Sequence, residues 1–157
     1  MHRSSSAVNA MALSPDGAIL YSGTSDSPIV VWEKVEGREE HMITTQTWRG
    51  HKQAVMCIAT VDDLVFSGSI DRTVRIWRRG SGDPCIGVMV GHRKGVRSLV
   101  ACRFETAEMD DRVACYIVCS GSVDGEVKLW NVLDMVHGST MLLTNNIEYC
   151  LPQNHFK

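Results

Sequence analysis

An all-β fold built from a repeated four-stranded unit follows from three features of this sequence. First, short apolar and β-branched runs are separated by turn residues. Between Gly50 and Trp77, residues 54–58, 64–66 and 73–77 are divided by Asp62-Asp63 and by Ser67-Gly68-Ser69-Ile70-Asp71, the pattern of an antiparallel meander. Second, this stretch recurs. Ser22-Gly23-Thr24-Ser25-Asp26 leads to Trp32 and Ser120-Gly121-Ser122-Val123-Asp124 leads to Trp130, and in every copy the Asp stands six residues before the Trp. Third, Trp32, Trp77 and Trp130 are 45 and 53 residues apart, close to the roughly 40–45 residues of one β-propeller blade.

The first copy, residues 2–49, has strand candidates at 8–13, 19–22, 29–33 and 42–48. Ser14-Pro15-Asp16-Gly17 has the chemistry of a type I turn, and Pro28 opens the third strand, where a missing amide donor is tolerable. The second copy, residues 50–90, is compact and closes with a strand at 85–90 after the loop Arg79-Gly80-Ser81-Gly82-Asp83-Pro84. In the third copy, residues 91–144, Val96 to Asp124 takes 28 residues where Val55 to Asp71 takes 16. The surplus falls at residues 103–112, among Glu105, Glu108, Asp110 and Asp111, and reads as a longer exposed loop, a carrier of individual specificity or a tolerated insertion. Residues 141–143 form a last strand candidate, and the aperiodic stretch 145–157 reads as an irregular tail.

Gly50-His51 and Gly91-His92, each followed by Ser-Gly-x-x-Asp and a closing Trp, resemble the WD-repeat β-propellers. The name-giving Trp-Asp pair has degenerated, with Glu33, Arg78 and Asn131 after the three Trp. Residues 2–14, 50–58 and 74–80 are most similar to plant WD-repeat proteins of the Jingubang type. The resemblance implies three recognisable four-stranded blades of a larger, about seven-bladed ring. Rings usually hold four to eight blades, so three leave two faces uncovered, and the chain reads as the C-terminal part of a propeller whose other blades lie upstream. By itself it is expected to aggregate or assemble.

A net charge of −2 provides no global attraction to nucleic acid or anionic membrane, and no long apolar run suggests a membrane span. The six cysteines come without a signal-like start, which points to a reducing compartment, with Cys57, Cys102, Cys115 and Cys119 packed in strands as small hydrophobes. The acid-free opening, residues 1–15, has the flavour of a transit peptide, but residues 8–13 are needed as a strand. No cofactor or metal site is expected: Cys115 and Cys119 have no clustered His partner, and Gly80-Ser81-Gly82 lacks the Gly-Lys-Ser/Thr of a phosphate loop.

His51, Ser67 and Asp71, and again His92, Ser120 and Asp124, contain the residue types of a hydrolase triad. Repetition argues against catalysis, because an active site needs one such set whereas a structural device is needed in every blade, and no Gly-x-Ser-x-Gly elbow occurs. The resemblance implies instead a hydrogen-bonded chain in which Asp71 holds His51, His51 meets Ser67, and Ser67 reaches the indole of Trp77. His92, Ser120, Asp124 and Trp130 would repeat it. The first copy keeps Ser22, Asp26 and Trp32 but has no His in register, so it is expected to be the loosest.

Arg49, Lys52, Arg72, Arg93 and Lys94 fall in the Gly-His loops and tight turns, which by the resemblance share one side of the ring. They form a candidate partner-binding face, or a solvated rim. The expected function is a non-enzymatic protein-protein interaction scaffold, a regulatory protein of plant cytoplasm or nucleus. The partners would be other proteins, with no nucleic acid and no membrane. A hydrolase using one His-Ser-Asp set and a truncated, non-functional product are the alternatives.

Overall fold

The computed structural model describes residues 6–35, 37, 41–104, 113–135 and 141–150, with side chains described up to residue 134. It contains three four-stranded antiparallel sheets, each a simple meander. The first holds β1 (Val8–Leu13), β2 (Ile19–Thr24), β3 (Ile29–Lys34) and β4 (Met42–Trp48). The second holds β5 (Val55–Val61), β6 (Leu64–Ser69), β7 (Thr73–Arg78) and β8 (Cys85–Val90). The third holds β9 (Val96–Phe104), β10 (Val113–Ser122), β11 (Glu126–Met135) and β12 (Met141–Cys150). β5 packs against β1 on one side and β9 on the other, so the first strands of the sheets stand side by side.

Turn chemistry sets the hairpins. Gly17 donates its amide to the Ser14 carbonyl at 2.8 Å with φ at +71°, the left-handed conformation that glycine adopts without Cβ strain. Asp62, alone with Asp63 between β5 and β6, also takes a positive φ of 50°, tolerated by a short polar side chain.

Strand periodicity distributes the middle sheet between two cores. β6 is buried along its whole length because its successive side chains point to opposite faces and both faces are covered. Leu64, Phe66, Val74 and Ile76 pack with Val96, Tyr116, Val118 and Trp130 of the third sheet. Val65 and Trp77 pack with Tyr21, Ile29, Val31 and Trp48 of the first. In that joint Trp48 lies over Trp77 with centroids 5.8 Å apart and planes 14° apart. Fully burying a side chain as large as Phe66 stabilises the fold by about 1.5–3 kcal/mol.

Two glycines let the sheets approach. A Cβ on Gly23 would lie 2.5 Å from Val55 Cγ1, and one on Gly68 would lie 2.6 Å from Val96 Cγ1.

The third sheet departs from expectation in two ways. β12 pairs with β11 through Cys150, so residues 145–150, read from the sequence as the start of an irregular tail, are strand. β11 runs on to Met135 and presents a long row of backbone donors and acceptors, and pairing with that edge overrides the weak strand propensity of Asn146, while Asn145 falls at a register shift between the two strands. Residues 103 and 104, assigned to the insert, belong to β9, and the loop expected at 105–112 lies outside the described residues.

Candidate functional site

In each meander the loop before the first strand and the turn between the second and third strands lie at the same sheet edge. The backbone therefore carries His51, ahead of β5, to Asp71, after β6, and the side chains meet. His51 Nδ1 is 2.8 Å from Asp71 Oδ2, His51 Nε2 is 2.8 Å from Ser67 Oγ, and Trp77 Nε1 donates to Ser67 Oγ at 2.7 Å. Asp71 also accepts from the amides of Lys52 at 2.9 Å and Thr73 at 3.0 Å, and from the Thr73 hydroxyl at 2.6 Å.

With a neutral imidazole every member is satisfied: indole N–H to serine oxygen, serine O–H to Nε2, and Nδ1–H to the carboxylate. Burial would raise the Asp71 pKa, but the hydrogen bonds from His51, Thr73 and the Lys52 amide outweigh it and hold the carboxyl well below its usual range. Ser67 is 0% and His51 5% exposed. A hydroxyl so enclosed, already accepting from an indole, has no approach for a substrate carbonyl, and this argues against the hydrolase reading.

The third copy shares part of this geometry. His92 Nε2 and Trp130 Nε1 each lie 2.7 Å from Ser120 Oγ. Asp124 Oδ2 accepts from the amides of Arg93 at 3.2 Å and Lys94 at 3.1 Å. Burial opposes the charge on Asp124, but the Glu126 amide, the Ser122 hydroxyl and the Lys94 amide lower its pKa overall. Where the second copy has Thr73 the third has Glu126, which is 7% exposed and receives the Arg93 guanidinium on Oε1, with buried Lys128 Nζ 3.7 Å from Oε2.

Candidate donor atoms of His92, Asp124 and Glu126 converge within 4.8 Å. Arg93 and Lys128 supply the positive charge beside that carboxylate pair, so the cluster is an internally balanced ionic group rather than a cation cradle.

In the first copy Trp32 Nε1 donates to Ser22 Oγ at 2.8 Å, and Ser6 takes a place beside Asp26. The Ser6 hydroxyl bonds the Asp26 carboxylate and accepts from the Asp26 amide at 3.2 Å. Sequence reasoning looks there only for a His in register. It also misses Thr73, Glu126 and Lys128, although the position two residues after the turn Asp, occupied by Pro28, Thr73 and Glu126, varies visibly between copies.

The same sheet edge carries the basic residues. Arg49, Lys52, Arg72, Arg93 and Lys94 are all exposed, and Arg72 sits in the tight turn with φ at +71°. Arg93 is engaged by Glu126. Among the described residues no carboxylate forms an ion pair with Arg49, Lys52, Arg72 or Lys94. Asp71 and Asp124 are turned toward backbone amides, which leaves the cations facing solvent.

The opposite edge, where β1 meets β2 and β5 meets β6, has a cleft of about 620 Å³ lined by Pro15, Asp16, Tyr21, Asp63 and Arg79 among others. Its charges are largely matched internally: Arg79 binds Glu33 at 2.7 Å and Asp63 binds Arg78 at 2.8 Å.

Of the cysteines expected to pack as small hydrophobes, Cys115 is buried and Cys57 and Cys119 are half-buried, but Cys102 is exposed. It lies on the outer face of the third sheet, which no other described element covers. Burial raises the Cys57 thiol to about 11, far from a reactive thiolate.

The sequence model described as "WD domain, G-beta repeat" matches residues 1–33, 42–78 and 83–131. Cell division control protein 4 of Candida albicans is 29% identical over 74% of the chain, and a chromatin assembly factor 1 component of Mus musculus is 32% identical over 62%. The matched regions span 17% and 20% of those proteins, respectively. In the solved "Crystal Structure of Mitotic Checkpoint Complex", one chain superposes with a TM-score of 0.65 at 22% identity, covering 90% of this chain and 38% of that one. The computationally designed Ika4 protein superposes at 0.60 and 25% identity, covering 90% of this chain and 74% of the design.

Proposed function

Because this chain belongs to the WD-repeat family, whose members generally act as protein-interaction scaffolds, we propose that it is a regulatory scaffold which presents the basic sheet edge to an acidic segment of a partner protein. The observation that carries this reading is the division of charge at that edge: Asp71 and Asp124 are engaged by backbone amides, while Lys52, Arg72 and Lys94 stand exposed beside them. Cations so placed steer an acidic partner and fix its register.

The internal His-Ser-Asp-Trp chains act as stiffeners that hold the presenting loops, not as catalysts. The uncovered outer faces of the first and third sheets support membership of a ring larger than three sheets. The Jingubang-type wording of residues 2–14, 50–58 and 74–80 supports a plant regulatory role in cytoplasm or nucleus.

Fluorescence anisotropy with a labelled oligo-glutamate peptide tests the edge. Binding that weakens with salt, as expected for exposed charges, and drops about tenfold or more in the triple variant Lys52→Glu, Arg72→Glu, Lys94→Glu is the expected outcome. Equal affinity in a triple variant with unchanged melting would remove the edge from the binding role.

A further inference from the structure

We propose that the cleft between the first and second sheets docks an arginine side chain from a basic linear segment of a second partner, with the Tyr21 hydroxyl and the carboxylates of Asp16, Asp62 and Asp63 as its recognition groups. This goes beyond the acidic partner assigned to the opposite edge. Both walls of the cleft belong to sheets that pack on each other within this chain, so the site does not depend on what covers the outer faces of the first and third sheets.

Tyr21 is the residue that asks for a ligand. It stands in one row with Val31 and Gln46 on the first sheet and shares a core with Trp48 and Trp77, its ring centroid 5.3 Å from that of Trp48. The residue is 4% exposed, yet among the described residues its hydroxyl has no hydrogen-bond partner. Tyr116 provides the contrast, because its hydroxyl donates to Asp62 Oδ2 at 3.0 Å. A buried phenol ordinarily finds such a partner. The Tyr21 oxygen is not sealed in, and the opening it reaches is the cleft that Tyr21 lines. Burial raises the Tyr21 pKa, Arg79 lowers it, and Asp16, Glu33 and Asp63 raise it further, which sets the hydroxyl among the charged groups of the cleft.

Charge complementarity selects the occupant. Arg79 is the single cation among the lining residues, and Glu33 holds it at 2.7 Å. Asp62 and Asp63 each turn Oδ2 to an arginine outside the lining, Arg103 at 3.3 Å and Arg78 at 2.8 Å, and Arg78 is shared with Asp134. Asp16 Oδ1 accepts from the Ser14 hydroxyl and the Ala18 amide, and among the described residues Asp16 has no ion pair. Asp16 Oδ2, Asp62 Oδ1 and Asp63 Oδ1 thus remain as acceptors, and the lining keeps an excess of negative charge.

Pro15 and Ile19 supply apolar wall for a methylene stem. A guanidinium fits this set better than an ammonium, because its five N–H donors lie fixed in one plane and meet several separated acceptors at once. The volume of about 620 Å³ is that of a small-ligand site and admits the side chain with a short stretch of its backbone.

Fluorescence anisotropy on the 157-residue chain tests the site with labelled Gly-Arg-Gly-Arg-Gly and with the same peptide carrying citrulline, which keeps the shape of arginine and removes its charge. Expected is salt-sensitive binding of the arginine peptide, about tenfold or more tighter than that of the citrulline peptide. Affinity should fall about tenfold in the double variant Asp16→Asn, Asp62→Asn and about threefold or more in Tyr21→Phe. Asparagine keeps an acceptor for the turn amides and tolerates the positive φ of residue 62, and phenylalanine keeps the ring packing, so both variants should melt as the wild type does. Equal binding of the citrulline peptide overturns the cationic occupant, and a lysine peptide that binds as tightly as the arginine one overturns the guanidinium. Unchanged affinity in either variant at wild-type melting overturns the site. Oligo-glutamate affinity at the opposite edge is measured on the same proteins and is independent of this result, so the two readings fail separately.

Discussion

Replacing Asp71 with Ala removes the acceptor on which one whole sheet edge converges. The carboxylate is met by His51 Nδ1 at 2.8 Å, by the Lys52 amide at 2.9 Å and by the amide and hydroxyl of Thr73. Lys52 is exposed, so its amide turns to water at little cost. His51 cannot, being 5% exposed and held between Ser67 and Trp77. Leaving a buried donor unmatched costs about 1–3 kcal/mol, and hydrogen bonds to a charged acceptor contribute in a similar range, so the expected loss is about 2–4 kcal/mol.

Asp26→Ala is the internal control. It changes the equivalent turn residue, but Ser6 and Ser25 around it form exposed hydrogen bonds, and the loss should stay below about 1 kcal/mol. Asp71→Asn retains a carbonyl acceptor and falls between the two. In urea unfolding at fixed protein concentration, with a slope of about 2 kcal/mol per molar, the midpoint of Asp71→Ala should drop by about 1–2 M. Equal losses at Asp71 and Asp26, or a loss at Asp71 within error of zero, would refute the idea that the buried imidazole depends on this carboxylate.

Acid unfolding should report the same group. The Asp71 and Asp124 pKa values are lowered in the folded chain, so their contribution is fully present above the unfolded carboxylate value of about 3.9 and is lost as pH falls below it toward the folded values. Stability measured from pH 7 down should lack any decline from these groups until about pH 4, and Asp71→Ala should flatten the loss below that. Gly68→Val should destabilise by about 1–3 kcal/mol or more, since its Cβ would meet Val96 and Cys57 at 2.6 Å; retention of wild-type melting would show that the sheets can part without cost. A fluorophosphonate probe should leave Ser67 and Ser120 unmodified because both hydroxyls are enclosed, and stoichiometric labelling at either would reinstate the hydrolase reading.

The sequence by itself determined the class of fold, the threefold repeat and most strand positions. Alternation of side chains, turn residues and a recurrent Asp-to-Trp spacing are local signals, and they survive in a linear reading. The identity of the network residues was legible for the same reason: Gly-His, Ser-Gly-x-x-Asp and Trp recur at fixed offsets. What the tertiary structure alone decided is what meets across sheets and across edges. Ser6 beside Asp26, Glu126 beside Arg93 and buried Lys128 are long-range juxtapositions with no fixed spacing. Residues 145–150 are strand only because β11 offers them an edge. The difference between Cys102, exposed, and Cys115, buried, depends on where each lies on a sheet whose outer face is uncovered. A strand's side chains alternate by local geometry, but whether a given face is covered depends on another part of the chain.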